Sequence, residues 1–566
     1  MRKSILIGLI IGLLVGFIDS YSYAISGYTT AEISLIIIPF LIVMIFKFLR
    51  IKYSSEDIAI STSLAYGICV TTTLTSGMYI TFGFLNYTSK KLRAYGLTVS
   101  VPNYFFSGDF PDYTAIPIYV SLALISFGGA LIAFSFRSHF IERERLKFPI
   151  GFASAMLTKL FDKTVISYKS ILLMLFAGFI LQLLTMYNEV FLDLTPALSS
   201  VLPGMVLALS FWPIMVGLLF IIPLEPLKMI SLGSISTYLL FVPLAIALFN
   251  IKVIPALNFS DALFSYSTIV VGILVGVVLM TLVFYLVTYA KMLTTSITMI
   301  FRLKMERTAF ALGTSLLVML GYIVVLVSGF HSIVFHLIPI IILHVILTIV
   351  NLRTVGEAGV GSQALLPLVT LYLYLMGVKD ISTYAVLDPY TGIPMPQVVG
   401  GSVMNLLRFS RFFKYNIVKI VLYFGLGIFI GSFATYMCGN ILVHTYGFNS
   451  PHMPLTRWIP TVIWMATIYS GKLELTPFIT ILLGLAIGLL LVILNLRRAL
   501  PLFPFVVGMT LPPDIGIVSL VVFLIKRMLV QLGVETHEKC IVFSTLFIVG
   551  CGLAIVLNTL IKLITM

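Results

Sequence analysis

Apolar runs of about twenty residues, separated by short polar gaps, recur along the whole chain, as in "SILIGLIIGLLVGFID" near the start and "CIVFSTLFIVGCGLAIVL" near the end. Each is near the length a helix needs to cross about 30 Å of hydrocarbon. The pattern predicts spans near residues 4–24, 30–49, 58–86, 113–136, 169–191, 201–222, 229–249 and 268–290. A second set follows near 309–330, 331–350, 355–378, 415–437, 475–496, 499–511, 515–532 and 539–563. The expected fold is an all-α integral membrane protein of about sixteen transmembrane helices. Stretches such as 499–511 are too short to cross alone and read as half-helices or re-entrant segments.

Composition agrees with the pattern. A chain of 566 residues that is 60% hydrophobic and 10% charged, with a mean hydropathy of +1.12, cannot hide its apolar side chains in a soluble core. The first run follows Arg2 and Lys3 as a signal peptide would, yet no small-residue cleavage site follows and another span comes at once, so it is read as the first helix. A net charge of +14 would suggest nucleic acid in a soluble protein. Here the Lys and Arg residues cluster in the gaps between apolar runs, which suits topology and lipid headgroups, and no nucleic-acid partner is expected. Cys69, Cys438, Cys540 and Cys551 lack paired spacing, so no disulfide framework, metal site or cofactor is implied.

Arg2 and Lys3, Lys47 to Lys52, Arg137 to Lys147 and Lys291 to Arg307 fall on one side of this topology, which the positive-inside rule makes the cytoplasm of a cell membrane, with both termini there. "KKLR" at 90–93 and Arg497 with Arg498 fall on the other side as exceptions, and the sequons at Asn86 and Asn258 land in loops facing out. "FWPIMVGLLFIIPLEPLKMISL" from Phe211 is similar to "LFPFVVGMTLPPDIGIVSL" from Leu502, with Pro213 matching Pro504 and Gly217 matching Gly508. "SGMYITFGFL" near 80 echoes "PLVTLYLYLM" near 370 at a similar offset. The expectation is one membrane domain of two similar halves, 1–300 and 301–566, running parallel around a central site.

Three interruptions stand out. In "LKFPIGFASA", residues 146–155, Pro149 suits the first position of a helix, and the free N–H groups of Ile150, Gly151 and Phe152 would form a place for a carboxylate, with Ser154 beside them. Gly151 and Ala155 are equally explained as a small-xxx-small pair for close helix packing. In "NLRTVGEAGVGSQALLPLV", Gly356, Gly359, Gly361 and Pro367 predict unwound backbone, with Gln363 along it. Glu357 there is either an intramembrane proton site or a solvated partner of Arg353 at the cytoplasmic mouth. Third, "IIPLEPLKM" with Glu225 and "TLPPDIGIV" with Asp514 each place an acid beside prolines at corresponding breaks, as a midplane site or as a charged helix start at the interface. Tyr79, Tyr372 and Tyr374 offer hydroxyls to a path and serve as well for packing. His331, His336 and His344 lack a partnering acid, and neither H-E-x-x-H nor G-x-S-x-G occurs, so a membrane enzyme is the weakest reading.

The stretch with Leu146, Phe148, Pro149, Gly151, Ala153 and Ala155 resembles one found in the oligopeptide transporter (OPT) family after an arginine-bearing loop. "RTVGEAG", with Arg353, Thr354, Gly356, Glu357 and Gly359, is similar to a second family pattern, and Pro501, Pro504, Gly508, Met509 and Pro512 to a third. Ile150 and Phe152 depart from the small hydroxylated residues common in the family, and the Ser-Pro-Tyr and Asn-Pro-Gly signatures of its eukaryotic peptide branch do not occur. The resemblance implies a proton-driven secondary carrier of oligopeptides or, alternatively, of siderophore-like metal–chelate conjugates. The expected substrate-binding residues are Pro149, Ile150, Gly151, Phe152, Ser154, Tyr79, Gly359, Gly361, Gln363 and Tyr374, and the expected proton-coupling residues are Glu357, Asp514 and Glu225. The expected partners are a small solute or peptide, protons and membrane lipid, with homo-oligomerisation left open.

Overall fold

The structure, a computed structural model, describes the chain except residues 1, 27–33, 95, 103–114, 163–167, 189, 252, 254–257, 289, 360–367, 389–394, 414–415, 473–477, 499 and 566. Most of the apolar runs fold as helices; the expected span 201–222 instead contains a short strand at Ala208–Ser210 and is helical only from Pro213. α1 (Arg2–Ser26), α2 (Ser34–Phe48), α3 (Ser55–Ala94), α4 (Ile116–Ser135), α5 (Pro149–Asp162) and α6 (Tyr168–Tyr187) come first. A small antiparallel pair, β1 (Phe191–Asp193) and β2 (Ala208–Ser210), brackets α7 (Thr195–Val201). Then follow α8 (Pro213–Ile221), α9 (Leu224–Ser236), α10 (Val242–Phe249), α11 (Phe259–Thr288) and α12 (Ala290–Arg302). Beyond residue 300 come α13 (Lys304–Ser328), α14 (Leu337–Ala358), α15 (Leu368–Leu375), α16 (Ile381–Leu387), α17 (Met395–Ser410) and α18 (Ile417–Tyr446). The last are α19 (Leu455–Tyr469), α20 (Phe478–Leu496), α21 (Leu502–Met509), α22 (Pro513–Gln531) and α23 (Val534–Thr565).

Among the described residues, eleven helical stretches are long and apolar enough to cross a bilayer. The five expected spans that do not qualify are short or charged: α2 has 15 residues, α8 has 9, α15 has 8 and α21 has 8, while α22 has 19 but carries Asp514, Lys526 and Arg527. Pro149 begins α5, as its fixed φ favours. Gly356 does not break its helix; α14 continues to Ala358 and ends where Gly359 takes φ +91, a left-handed conformation that costs glycine little. Gly361, Gln363 and Pro367 lie outside the described residues.

Four pairs of helices cross by one device. Gly67 of α3 and Gly427 of α18, Gly178 of α6 and Gly550 of α23, Gly233 of α9 and Gly508 of α21, and Gly276 of α11 and Gly484 of α20 face each other across backbones in contact. In every pair, a Cβ on either glycine would overlap the carbonyl oxygen three residues before the other glycine: Phe424 and Leu64, Phe547 and Leu175, Phe505 and Ile230, Ile481 and Ile273. Lipid tails are as apolar as leucine, so association inside a bilayer depends on close van der Waals contact, and small residues permit it. Further contacts advance in the same direction along both helices, for example Ile68 to Gly431 and Tyr79 to Gly439 for α3 and α18. Each pair is therefore parallel and joins a helix before residue 300 to one after it.

Charge separates the two ends of the bundle. Arg137 Nη2 donates to Glu306 Oε1 at 2.8 Å, fastening α4 antiparallel to α13, and Ser4 donates to Asp57 at the same end. At the opposite end Tyr21, Tyr446 and His452 stack together. Because α20 runs parallel to α11, Arg497 and Arg498 fall at the Arg137 end, not on the far side expected from the sequence. The termini also differ from expectation. α1 is parallel to α3, with Gly8 on Ser61 and Gly12 on Ala65, while α23 brings Thr559 to Tyr446, so the first turn of α1 and the last turn of α23 lie at opposite ends.

Candidate functional site

The matched segments around Pro213 and Pro504 fold alike. Each is a short helix, a proline break and a second helix, with Pro223 (φ −57, ψ 152) preceding α9 and Pro512 (φ −59, ψ 152) preceding α22. α9 lies parallel to α21, with Ile230 against Gly508 and Ser234 against Leu511. α22 lies antiparallel to α9, since Gly516 meets Ser234 whereas Lys526 reaches Ile222. α8 and α21 consequently run in opposite directions, so these matched segments are inverted and not parallel as the sequence suggested. The two hairpins interlock and cap each other. Ser234 of α9 donates to the carbonyls of Leu511 (3.0 Å) and Pro512 (2.9 Å), and Lys526 of α22 donates to those of Phe220 (2.8 Å) and Ile222 (2.5 Å). The carbonyls freed by each break thus find a donor on the other hairpin, as backbone removed from water requires.

Asp514 stands in the first turn of α22, fully buried. Arg457 of α19, also buried, donates to both carboxylate oxygens, and Ser210 Oγ of β2 donates to Oδ2 at 2.6 Å. The positive end of α22 adds to this stabilisation of the anion. The Arg457 guanidinium lies 5.3 Å from the centre of the Trp212 ring. Trp212 also walls a small cleft of about 30 Å³, room for one or two water molecules, lined with Tyr21, Gln182, Thr185, Phe211 and His452. Tyr21 Oη and His452 Nδ1 are 2.8 Å apart. Gln182 is buried and its Oε1 has no hydrogen-bond partner. A buried amide oxygen without a donor favours a ligand that brings one. The cleft combines aromatic walls with neutral donors and acceptors; in this conformation it admits a water-sized polar group, so a larger solute reaches Gln182 only if the walls part.

The residues expected from the sequence fall in separate places. Pro149, Ile150, Gly151, Phe152, Ser154, Glu357 and Gly359 do come together. Phe148 N–H donates to Gly356 O at 3.1 Å, Gly359 lies over Pro149 and Ile150, and Leu146 abuts Gly356, so two of the three OPT-like stretches form one junction. Two of its three amides are engaged within the protein: Gly151 N–H donates to Asn405 Oδ1 at 3.2 Å and Phe152 N–H to Phe148 O at 3.1 Å. A Cβ at Gly151 would overlap Asn405 O, which is the packing role, and Ser154 donates to Leu35 O. Glu357 is 39% exposed and bonded to Arg353 at 2.6 Å, the solvated arrangement of the two considered. Glu225 is 64% exposed and paired with Lys228. Tyr79 is buried against Gly439, and Tyr374 is half-buried on α15.

Arg457, Trp212, Gln182 and His452 were not singled out from the sequence. Arginine in the apolar run "LTRWIPTVIW" was the available signal, since an intramembrane charge needs a partner. No protein-family model matches the sequence, and no curated protein matches it.

Proposed function

We propose that the protein is a secondary active transporter that moves oligopeptides or related small polar solutes across a membrane, coupled to protons. The observation that carries this reading is the pair of inverted, mutually capped hairpins around Asp514 and Arg457, beside a cleft that leaves Gln182 Oε1 open. Oppositely oriented broken helices in corresponding positions are the usual frame of an alternating-access site. The four glycine crossings tie helices before residue 300 to helices after it. The OPT-like motifs agree with the same class of carrier, and their meeting at the Phe148–Gly356 junction makes them one structural unit. By the positive-inside rule the Arg137 end is the cytoplasmic one.

The binding part of this reading is tested by tryptophan fluorescence of the purified chain titrated with a peptide library. A peptide entering the cleft changes Trp212 emission saturably, and W212F removes the change while Trp458 and Trp464 still emit. A saturable change that survives in W212F would place the binding site elsewhere.

A further inference from the structure

Four carboxylates among the described residues are buried in the bundle: Asp19, Glu306, Asp388 and Asp514. Glu306 and Asp514 each hold an arginine, and Asp19 accepts from Ser34 and from Cys69. Asp388 differs. It follows α16, is 1% exposed, and its Oδ2 accepts from the Thr370 amide (3.2 Å) and hydroxyl (2.9 Å), while Oδ1 has no partner. Among the described residues no lysine or arginine pairs with it. An anion held away from water with one oxygen bare is costly, and adding a proton at Oδ1 removes the charge.

The surroundings are polar and incompletely satisfied. His344 of α14 bonds through Nε2 to the carbonyl of Leu387, the residue before Asp388, at 2.9 Å, and its Nδ1 is 3.1 Å from Gln397 Nε2 of α17. A carbonyl only accepts, so Nε2 carries hydrogen and Nδ1 of a neutral ring accepts from Gln397. Gln397 Oε1 and Thr348 Oγ1 are buried and unpaired nearby. Rotation of the Gln397 amide would present that oxygen to a protonated Nδ1, so the site has a second arrangement ready for a charged ring. The surrounding elements also carry Tyr119 of α4, Tyr322 of α13, His336 at the start of α14, which bonds Tyr372 at 3.0 Å, Tyr374 of α15, Tyr384 of α16 and Tyr469 of α19. Their charged groups are engaged elsewhere or exposed: Arg353 with Glu357 and Glu144, Arg457 with Asp514, Arg408 over the Phe412 ring, and Lys379 and Asp380 exposed at the other end of α16.

We propose that Asp388 is the carboxyl group that takes up and releases the coupled proton, with His344 and Gln397 as the positioning pair beside it. The proposal rests on the carrier reading for its role in transport, whereas the protonation itself is independent of that reading.

The test uses the full chain in lipid vesicles, with infrared difference spectra across pH and uptake driven by a pH gradient. The wild type shows a titrating protonated-carboxyl band that is lost in D388N, regained in D388E and kept in D19N and E357Q. The asparagine retains an oxygen for Thr370, so the fold is expected to persist, and D388N keeps solute exchange but loses accumulation. A band unchanged in D388N, or one lost in D19N instead, overturns the assignment. Wild-type vesicles that neither accumulate nor exchange any solute, with the band still tracking Asp388, would remove the carrier reading and leave the protonation site standing.

Discussion

Arg457 and Asp514 show how a buried pair acts at the scale of single residues. Both are removed from solvent, so neither charge can be deleted alone without stranding the other. D514N or R457Q is expected to cost about 3–5 kcal/mol, read as a lowered midpoint of thermal unfolding in detergent, while an apolar pair, R457M with D514L, recovers much of the loss. Single variants as stable as wild type would contradict the pairing. At the Arg137 end, Glu144 accepts from His139 (3.0 Å) and Arg353 (2.7 Å). Partial burial pushes its carboxyl up, but the His139 hydrogen bond and the Arg353 charge outweigh this and hold it below the ordinary range. A depressed carboxyl stabilises the fold above its unfolded pKa and loses that contribution as pH falls through the folded value. Protection from hydrogen exchange at Val355 to Gly359, taken relative to the intrinsic rate at each pH, should therefore fall as pH drops below about 4.5, and E144Q should show the lowered protection already at neutral pH. The acids were visible in the sequence, but their partners were only partly so. Arg353 lies four residues before Glu357, a spacing that can be read directly, whereas the bare oxygen of Asp388 depends on how α14, α16 and α17 meet.

At the scale of elements, helices were legible because their length and apolarity are local properties, and the proline breaks at 222–223 and 510–512 because proline acts on its own turn. The direction of the matched segments was not legible. Similar apolar runs look the same in either orientation, and only the contacts of α9 with α21 and α22 set it. The glycine crossings give a test of this packing. G276A places a methyl group against Ile481 O and is expected to destabilise by about 1–3 kcal/mol, with G484A similar, measured by thermal unfolding in detergent. Unchanged stability in both would show that these backbones are not in contact. The mutual caps give a test of motion. A disulfide between S234C and P512C, adjacent across the hairpins, should stop transport and release it on reduction. Full activity in the cross-linked state would show that the hairpins need not separate.

At the scale of the whole molecule, four parallel glycine crossings join helices before residue 300 to helices after it, and one hydrophobic core draws residues from both parts of the chain. In the proposed carrier, motion would be carried by sliding at the small-residue crossings or by separation of the capped hairpin tips. The basic end and the aromatic end give the bundle a polarity that fits a vectorial path between two aqueous sides. The central claim is that this frame uses a proton gradient to move a polar solute. Its most direct measurement is accumulation of a labelled peptide mixture by vesicles containing only this protein, with the pH gradient imposed and then collapsed by a protonophore. The account predicts accumulation above the external concentration that disappears on collapse; equilibration to equal concentrations whether or not the gradient is present would contradict it.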